Sequence, residues 1–120
     1  MSIWPGSYRN TRDICEFMAK EGRYYCIGAS GMLKAEVLHE FLKKMDFEDT
    51  SKFTSEEFYQ NGGSVVYSPK GECIKGPLIG KEGILVSSIE KDFVIQERQN
   101  FDYSGHYSRF DIFNEPLRTE

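Results

Sequence analysis

A β-hairpin signal in the second half of the sequence sets the first limit on the fold. Two apolar runs, 63–67 and 72–75, flank the tetrapeptide Ser68-Pro69-Lys70-Gly71. Proline and glycine in such a tetrapeptide are typical of tight turns, so the two runs are predicted to pair as antiparallel strands. The run 83–89 predicts a third strand, and residues 91–99 are predicted to form a helix. We therefore expect the second half to be mainly sheet.

The first half alternates helical and strand patterns. A helix is predicted up to about residue 21, capped at Asn10 and Thr11 with Asp13 in its first turn, and a buried strand is predicted over 24–29. An apolar stripe at three- and four-residue spacing then predicts a second helix with this stripe in the core. Its members are Val37, Leu38, Phe41, Leu42 and Met45. Residues 46–61 are predicted to be a polar surface connection, so the whole pattern indicates an α/β fold.

Composition and charge exclude several classes of partner. The 120 residues are 39% hydrophobic, which is enough for the core of one domain or of a piece of a larger domain. Nineteen acidic against fifteen basic residues give a formal charge of -4, and the basic residues form no stripe. We therefore expect neither nucleic acid nor a membrane as a partner. No signal segment and no long apolar run are visible, so the expected location is cytoplasmic.

The cysteines and histidines indicate neither a disulfide framework nor a metal site. Cys15, Cys26 and Cys73 are widely spaced, and His39 and His106 are the only histidines. This spacing contains no zinc-binding pattern, so no metal site is expected. Buried, reduced thiols are common at such positions, and no cysteine is predicted to be catalytic. His39 is expected to lie at the surface.

Several motifs occur along the chain in a fixed order. Segment 99–111 has the sequence Gln-Asn-Phe-Asp-Tyr-Ser-Gly-His-Tyr-Ser-Arg-Phe-Asp. It resembles the Phe-Asp-x-x-Gly-His-Tyr-Ser/Ala-Arg-x-Asp signature near the end of nitrilases. Segment 61–72 and the residues Gly76-Pro77-Leu78 resemble family segments that precede this signature. Trp4-Pro5-Gly6-Ser7 and residues 9–24 are similar to the segment after the nucleophile in the bacterial aliphatic-nitrilase branch. The resemblance to the carboxyl-terminal part of a nitrilase thus covers almost the whole chain.

This resemblance implies a particular architecture. Nitrilases fold as a four-layer α-β-β-α sandwich, and this chain is expected to supply an incomplete sandwich, the carboxyl-terminal part only. Residues 1–113 would form the carboxyl-terminal part of a carbon–nitrogen hydrolase domain, and residues 114–120 a short polar tail. A sheet divided in this way has unpaired edges and an uncovered apolar face. The isolated chain is therefore expected to aggregate or to depend on a complementary piece.

The resemblance also implies where the chemistry lies. Nitrilases use a cysteine thiolate as nucleophile, a glutamate as general base and a lysine that stabilises the developing charge. In the family all three precede the segment that resembles Trp4-Pro5-Gly6. The chain by itself is therefore expected to have no catalytic residue and to be inactive. Joined to the missing amino-terminal part, the protein is expected to hydrolyse nitriles to carboxylic acid and ammonia. The resemblance implies no cofactor, because thiol-based hydrolysis needs only water and these side chains.

Other residues are implied to bind substrate or to maintain structure. Trp4 and Tyr8 are the candidate substrate-binding residues, which would shape an apolar pocket; alternatively, Trp4 only packs the end of a strand. A structural motif in the tail is expected to hold the tail onto the body, with His106 as a hydrogen-bonding residue. Its members are Gly105, His106, Tyr107, Arg109 and Asp111. The helix over 11–21 resembles one that pairs across the dimer in the family, although a solvated face would have the same pattern.

Three functional hypotheses follow from the sequence. The first is a nitrilase fragment that is active when joined to its amino-terminal part, with a homo-oligomer as the intact form. The second is a non-catalytic oligomerisation or regulatory partner of a full-length nitrilase. The third is a small autonomous enzyme that uses Cys15 or Cys26 with a histidine. Ammonia release from nitriles by the chain alone would separate the third hypothesis from the other two.

Overall fold

A computed structural model describes residues 2–4, 6–47 and 57–101. These residues form an α/β structure, as predicted. In chain order the elements are β1 (Ser2–Trp4), α1 (Tyr8–Gly22), β2 (Cys26–Ser30), β3 (Met32–Lys34), α2 (Ala35–Lys44), β4 (Phe58–Tyr67), β5 (Cys73–Ile79) and α3 (Lys91–Asn100).

Strand β4 is the centre of the sheet. It pairs antiparallel with β2, β3 and β5, whereas β1 joins the sheet only through a parallel pairing with β2. The predicted hairpin is confirmed as β4 and β5, and β5 extends to Ile79. The amide of Ser68 donates to the Glu72 carbonyl at 2.8 Å, and the amide of Gly71 donates to the Ser68 carbonyl at 2.8 Å. These two bonds close the predicted turn.

Helix α1 covers one face of the sheet over β2 and β4. The buried cluster between them consists of Cys15, Ala19, Cys26, Val65 and Tyr67. The helix approaches the sheet closely because Gly28 has no side chain: a Cβ there would lie 2.8 Å from the Cys15 sulfur. Burying a side chain as large as valine stabilises a fold by about 1.5–3 kcal/mol, so this small cluster is the main apolar contribution of the helix.

The start of α1 differs from the prediction. A cap at Asn10 and Thr11 was expected, but the helix begins at Tyr8 and has no acidic residue in its first turn. Thr11 is fully buried, and its hydroxyl donates to the Gly63 carbonyl on β4 at 2.8 Å. The prediction is wrong because a threonine that suits a helix cap equally suits a buried bond to a neighbouring strand.

The second helix is confirmed, but its predicted core face is wrong. Leu42 is buried and Leu38 is half-buried, whereas Val37, Phe41 and Met45 are each more than half exposed. Within the described part of the chain, helix α2 packs mainly on β3 and β4. The apolar stripe is wider than this contact, so part of it faces outward in the described structure.

Two predictions for connecting segments are also wrong. Residues 83–89 form no regular strand, and Ile84 is 90% exposed and Val86 74% exposed. A strand needs a ladder partner, and this segment has none among the described residues. The predicted connection over 46–61 ends earlier, because β4 already begins at Phe58. Residues 48–56 and 102–120 lie outside the described residues, and so does the predicted polar tail over 114–120.

Helix α3 confirms the helix predicted over 91–99, and it is held by polar and aromatic contacts. The Tyr25 and Phe93 rings lie 6.4 Å apart, and the Tyr25 hydroxyl accepts the amide of Glu90 at 3.3 Å. Glu97 is buried and lies 3.4 Å from Arg23 and 3.7 Å from Lys70. We call these three charged residues the ionic cluster. It joins α3 to the end of α1 and to the hairpin turn.

Among the described helices, none combines the length and the apolar character that crossing a membrane requires.

Candidate functional site

The candidate site lies where the two parallel strands end. The register pairs Trp4, the last residue of β1, with Ser30, the last residue of β2. Ligands of open α/β sheets bind outside the carboxyl ends of parallel strands. Tyr8, the second predicted substrate-binding residue, begins α1 shortly after β1 ends. The structure therefore brings the backbones of both predicted residues to the same edge of the sheet.

The segment between β1 and α1 is attached to the middle of β4. The amide of Tyr8 donates to the Asn61 side-chain carbonyl at 3.3 Å, and the amide of Gly62 donates to the Gly6 carbonyl at 3.3 Å. Gly63 has φ +111, and a Cβ there would lie 2.5 Å from the Tyr8 Cα. Only glycine fits such a close approach in this left-handed conformation. The position of Tyr8 thus depends directly on residues 61–63.

Two serines join the end of β2 to β4. The regular pairing of these strands ends at Gly28 and Val65. Beyond it, the Ser64 hydroxyl accepts the amide of Ser30 at 3.0 Å and lies 3.3 Å from the Ser30 carbonyl, to which it donates. The Ser30 hydroxyl donates to the Gly62 carbonyl at 3.0 Å. We call Ser30 and Ser64 the serine clasp, because their side chains replace the missing backbone ladder.

A small cleft of about 230 Å³ opens beside the serine clasp. Its lining residues are Ser30, Gly31, Met32, Ser64, Leu78, Lys81, Glu82 and Gly83. Ligand pockets for drug-sized molecules usually measure about 300–1,000 Å³, so this cleft suits a smaller molecule. The walls combine hydroxyls with Met32 and Leu78, and the charges of Lys81 and Glu82 are exposed at the rim.

The thiols of the chain lie outside this cleft. Cys15 and Cys26 are buried in the core, as predicted, so a substrate cannot reach them. For Cys73 the expectation of a buried thiol is wrong: it is exposed on β5, where its sulfur lies 3.6 Å from the Lys75 carbonyl and 3.8 Å from the Gly76 carbonyl. Within the described part of the chain, no three side chains are grouped as a metal site requires.

Three pKa values are shifted in the described structure, those of Arg12, Asp13 and Tyr67, and none of these residues lines the cleft. The hydrogen bond to Asp13 raises the pKa of the Arg12 guanidinium. A hydrogen bond from Arg12 at 2.6 Å lowers the pKa of the Asp13 carboxyl on the exposed face of α1. Burial raises the pKa of Tyr67 well above its ordinary value of 10.0. These shifts reflect an ion pair and a buried phenol, and they identify no acid or base at the cleft.

The remaining predicted residues fall into two groups. The side chain of Trp4 and the tail motif, Gly105, His106, Tyr107, Arg109 and Asp111, lie outside the described residues, so their roles stay predictions. His39 differs from the expected surface residue. It is half-buried on α2, and its Nε2 atom is buried without a hydrogen-bond partner in the described structure.

The sequence does not predict the hydrogen bonds of the serine clasp or the hydrogen bond between Asn61 and Tyr8. Segment 61–64 was recognised as part of a motif, but its contacts with Gly6, Tyr8 and Ser30 were not anticipated. The available signal was the pair Gly62-Gly63 inside a strand pattern, because adjacent glycines in a strand indicate close approach of another backbone. Which backbone approaches is a tertiary property, and local pattern does not contain it.

Comparison with known proteins gives the family context. A nitrilase-like protein of Saccharomyces cerevisiae is 49% identical over 53 residues, which is 44% of this chain and 44% of that protein. A nitrilase of Bradyrhizobium diazoefficiens is 33% identical over 98 residues, or 82% of this chain. This chain is a relative of the nitrilases. The bacterial match covers 29% of the Bradyrhizobium protein, so this nitrilase relative spans less than half the length of either protein.

A third match has a more specific name. An arylacetonitrilase of Trametes versicolor is 40% identical over 57 residues, which is 48% of this nitrilase-related chain and 18% of the fungal protein. No family model matches the chain. Bacterial, fungal and plant nitrilases all occur among the matches, so the nitrilase relationship holds without assigning the chain to one branch.

Proposed function

We propose that this chain is the carboxyl-terminal part of a nitrilase-type carbon–nitrogen hydrolase, and that the joined protein hydrolyses a nitrile to a carboxylic acid and ammonia. The observation that carries this proposal is the match to the Bradyrhizobium nitrilase, which covers 82% of this chain but 29% of that protein. In this proposal the chain builds one wall of the substrate site, and a complementary amino-terminal part supplies the nucleophile, the general base and the lysine.

The chemistry of the proposed reaction agrees with this division. A thiolate adds to the nitrile carbon, one water converts the adduct to an acyl-enzyme with loss of ammonia, and a second water releases the acid. The nucleophile must be exposed at the substrate site. Cys15 and Cys26 are buried and Cys73 is not among the residues lining the cleft, which supports a nucleophile from the complementary part.

The proposed contribution of this chain is to bind the substrate. The backbones of Trp4 and Tyr8 lie near the carboxyl edge of β1 and β2, and Trp4 is the register partner of Ser30, which lines the cleft. We propose that these two side chains contact the organic group of the nitrile. The attachment of Tyr8 to Asn61 supports this role, because it holds the start of α1 against the strand whose Ser64 lines the cleft.

The proposed architecture is the carboxyl-terminal part of the four-layer sandwich, formed by residues 1–113, with 114–120 as a tail. Helix α1 covers the face of the sheet that carries Cys26 and Val65. The neighbouring pair Ile27 and Val66 alternates to the opposite face and is also apolar. An apolar second face supports the packing of another sheet layer there. In the intact homo-oligomer, the exposed face of α1 around Phe17 would contact another subunit.

A chimera tests the proposed function. The chain replaces the matched segment of the Bradyrhizobium nitrilase, and ammonia release is measured with aliphatic nitriles and arylacetonitriles. We expect the chimera to be active, the chain alone to be inactive, and Cys73→Ala in the chimera to leave the rate unchanged. Ammonia release by the chain alone would overturn the proposal. So would a chimera that unfolds cooperatively, has the size of the parent assembly and yet releases no ammonia.

A further inference from the structure

We infer that Ser64 is a positioning residue: through Ser30 and Gly62 it fixes the end of β1 and the start of α1, and so determines how tightly the site binds its nitrile. The substrate part of this inference rests on the proposed function. The structural part concerns only hydrogen bonds within this chain and can be tested without any activity.

The Ser64 hydroxyl forms two hydrogen bonds with the backbone of Ser30. The backbone pairing of β2 with β4 includes Gly28 but does not extend to Ser30, at the end of β2. The Ser64 hydroxyl instead accepts the Ser30 amide at 3.0 Å and donates to the Ser30 carbonyl at 3.3 Å. Ser30 is also the register partner of Trp4. Removing one hydroxyl therefore releases the strand end on which the last residue of β1 lies.

The Ser64 hydroxyl is also connected to the start of α1, through Ser30 and Gly62. Ser30 donates through its own side chain to the Gly62 carbonyl at 3.0 Å, and the Gly62 amide donates to the Gly6 carbonyl at 3.3 Å. The preceding residue, Asn61, accepts the Tyr8 amide at 3.3 Å. Both candidate substrate-binding residues are thus tied to residues 61–64 by short, continuous paths.

The hydrogen bonds of Ser64 favour a positioning role over direct contact with a ligand. Ser64 lines the cleft, but its hydroxyl donates its one proton to Ser30 and also accepts from Ser30. A hydroxyl has one donor, so Ser64 cannot donate to a ligand while the clasp is closed. Threonine retains the same donor and acceptor, whereas alanine retains neither. The expected effect of Ser64 is therefore on the geometry of its neighbours.

Amide hydrogen exchange on the chain as it exists tests the structural part. In Ser64→Ala we expect exchange at the amides of Ser30, Gly62 and Tyr8 to rise about tenfold, as the loss of a partly buried hydrogen bond predicts, with Tyr67 unchanged. Ser64→Thr should keep the exchange of the unmodified chain. Ser87→Ala is the matched control, because in the described structure the Ser87 hydroxyl donates to the adjacent Ser88 carbonyl and not to another element. Unchanged exchange in Ser64→Ala, or an equal rise at Tyr67, would overturn the inference.

Kinetics of the chimera test the substrate part. Ser64→Ala is expected to raise KM for nitriles about tenfold while kcat changes less than about twofold, and Ser64→Thr should restore KM. A loss of kcat at constant KM would contradict the positioning role. If every chimera is inactive, the proposed function fails, and the exchange experiment alone decides whether the serine clasp positions the two segments.

Discussion

Gly63 is the residue on which the attachment of α1 to the sheet depends. Its carbonyl accepts the buried Thr11 hydroxyl, and its α-carbon faces the backbone of Tyr8 so closely that a methyl group has no room. The obstacle is backbone and not the end of a flexible side chain, so rotation of a neighbouring side chain cannot relieve it. Small changes at this residue should therefore act on the whole helix.

Substitution Gly63→Ala should destabilise the chain by about 2 kcal/mol or more, because it combines strain at φ +111 with a backbone clash. Urea unfolding followed by circular dichroism measures this change. Gly31→Ala is the control, since nothing lies within 4 Å of a Cβ there. The control should change stability by less than about 0.5 kcal/mol. Equal effects of the two substitutions would contradict the close approach.

Tyr67 should make stability depend on pH in the alkaline range. Burial raises the pKa of Tyr67 in the folded chain, whereas the unfolded chain titrates near the ordinary value of 10.0. Above that pH the unfolded state binds fewer protons than the folded state, so the free energy of unfolding falls as pH rises. Below it the stability from this group is fully present. The urea midpoint should fall more steeply above pH 10.0 in the unmodified chain than in Tyr67→Phe; parallel curves would contradict the shift.

At the scale of elements, local signals predicted what local interactions determine. The hairpin turn, β2, and helices α1 and α3 were predicted within a few residues, because periodicity and turn chemistry are properties of adjacent residues. The wrong predictions concern features that depend on partners distant in the sequence. Residues 83–89 have strand composition but no described strand to pair with, and the outward part of the α2 stripe has no described element to cover it. The serine clasp was missed for the same reason.

The ionic cluster should determine how firmly α3 is held. Glu97→Ala leaves Arg23 and Lys70 without their shared carboxylate, and we expect a loss of about 1–3 kcal/mol, since Glu97 is 5% exposed although Lys70 is half exposed. Urea unfolding measures the loss, and faster trypsin cleavage at Arg98 locates it. Glu16→Ala breaks the exposed pair with Lys20 on α1 and should cost less than about 0.5 kcal/mol. Equal losses of stability in Glu97→Ala and Glu16→Ala would mean that the ionic cluster stabilises the fold no more than an exposed ion pair does.

At the scale of the molecule, apolar surface remains uncovered in the described residues. Phe41 on α2, and Ile84 and Val86 in the segment before α3, are all more than half exposed. Exposed apolar side chains of this kind promote association. The proposed complementary part and homo-oligomer would bury it, whereas the isolated chain leaves it in contact with water.

The double substitution Phe41→Ser and Val86→Thr should therefore reduce self-association of the isolated chain without reducing its stability. Both side chains are mostly exposed, so the free energy of unfolding should change by less than about 1 kcal/mol. Sedimentation velocity and binding of a hydrophobic dye measure the effect. Leu42→Ser at a buried position of α2 is the contrasting variant and should unfold the helix. Unchanged association in the double variant would mean that another surface is responsible.

The central place of β4 has a consequence for synthesis on the ribosome. Among the described residues, strands β2, β3 and β5 all have their antiparallel partner in residues 58–67, and Thr11 and Tyr8 also form hydrogen bonds to that segment. The amino-terminal half of the chain leaves the exit tunnel before this strand does. Until then α1 lacks its contacts with β4 and can pack only on the β1–β2 pair, so part of its apolar face is available to chaperones. A pause in translation before residue 58 should expose the nascent chain, whereas a pause after β4 has emerged should not.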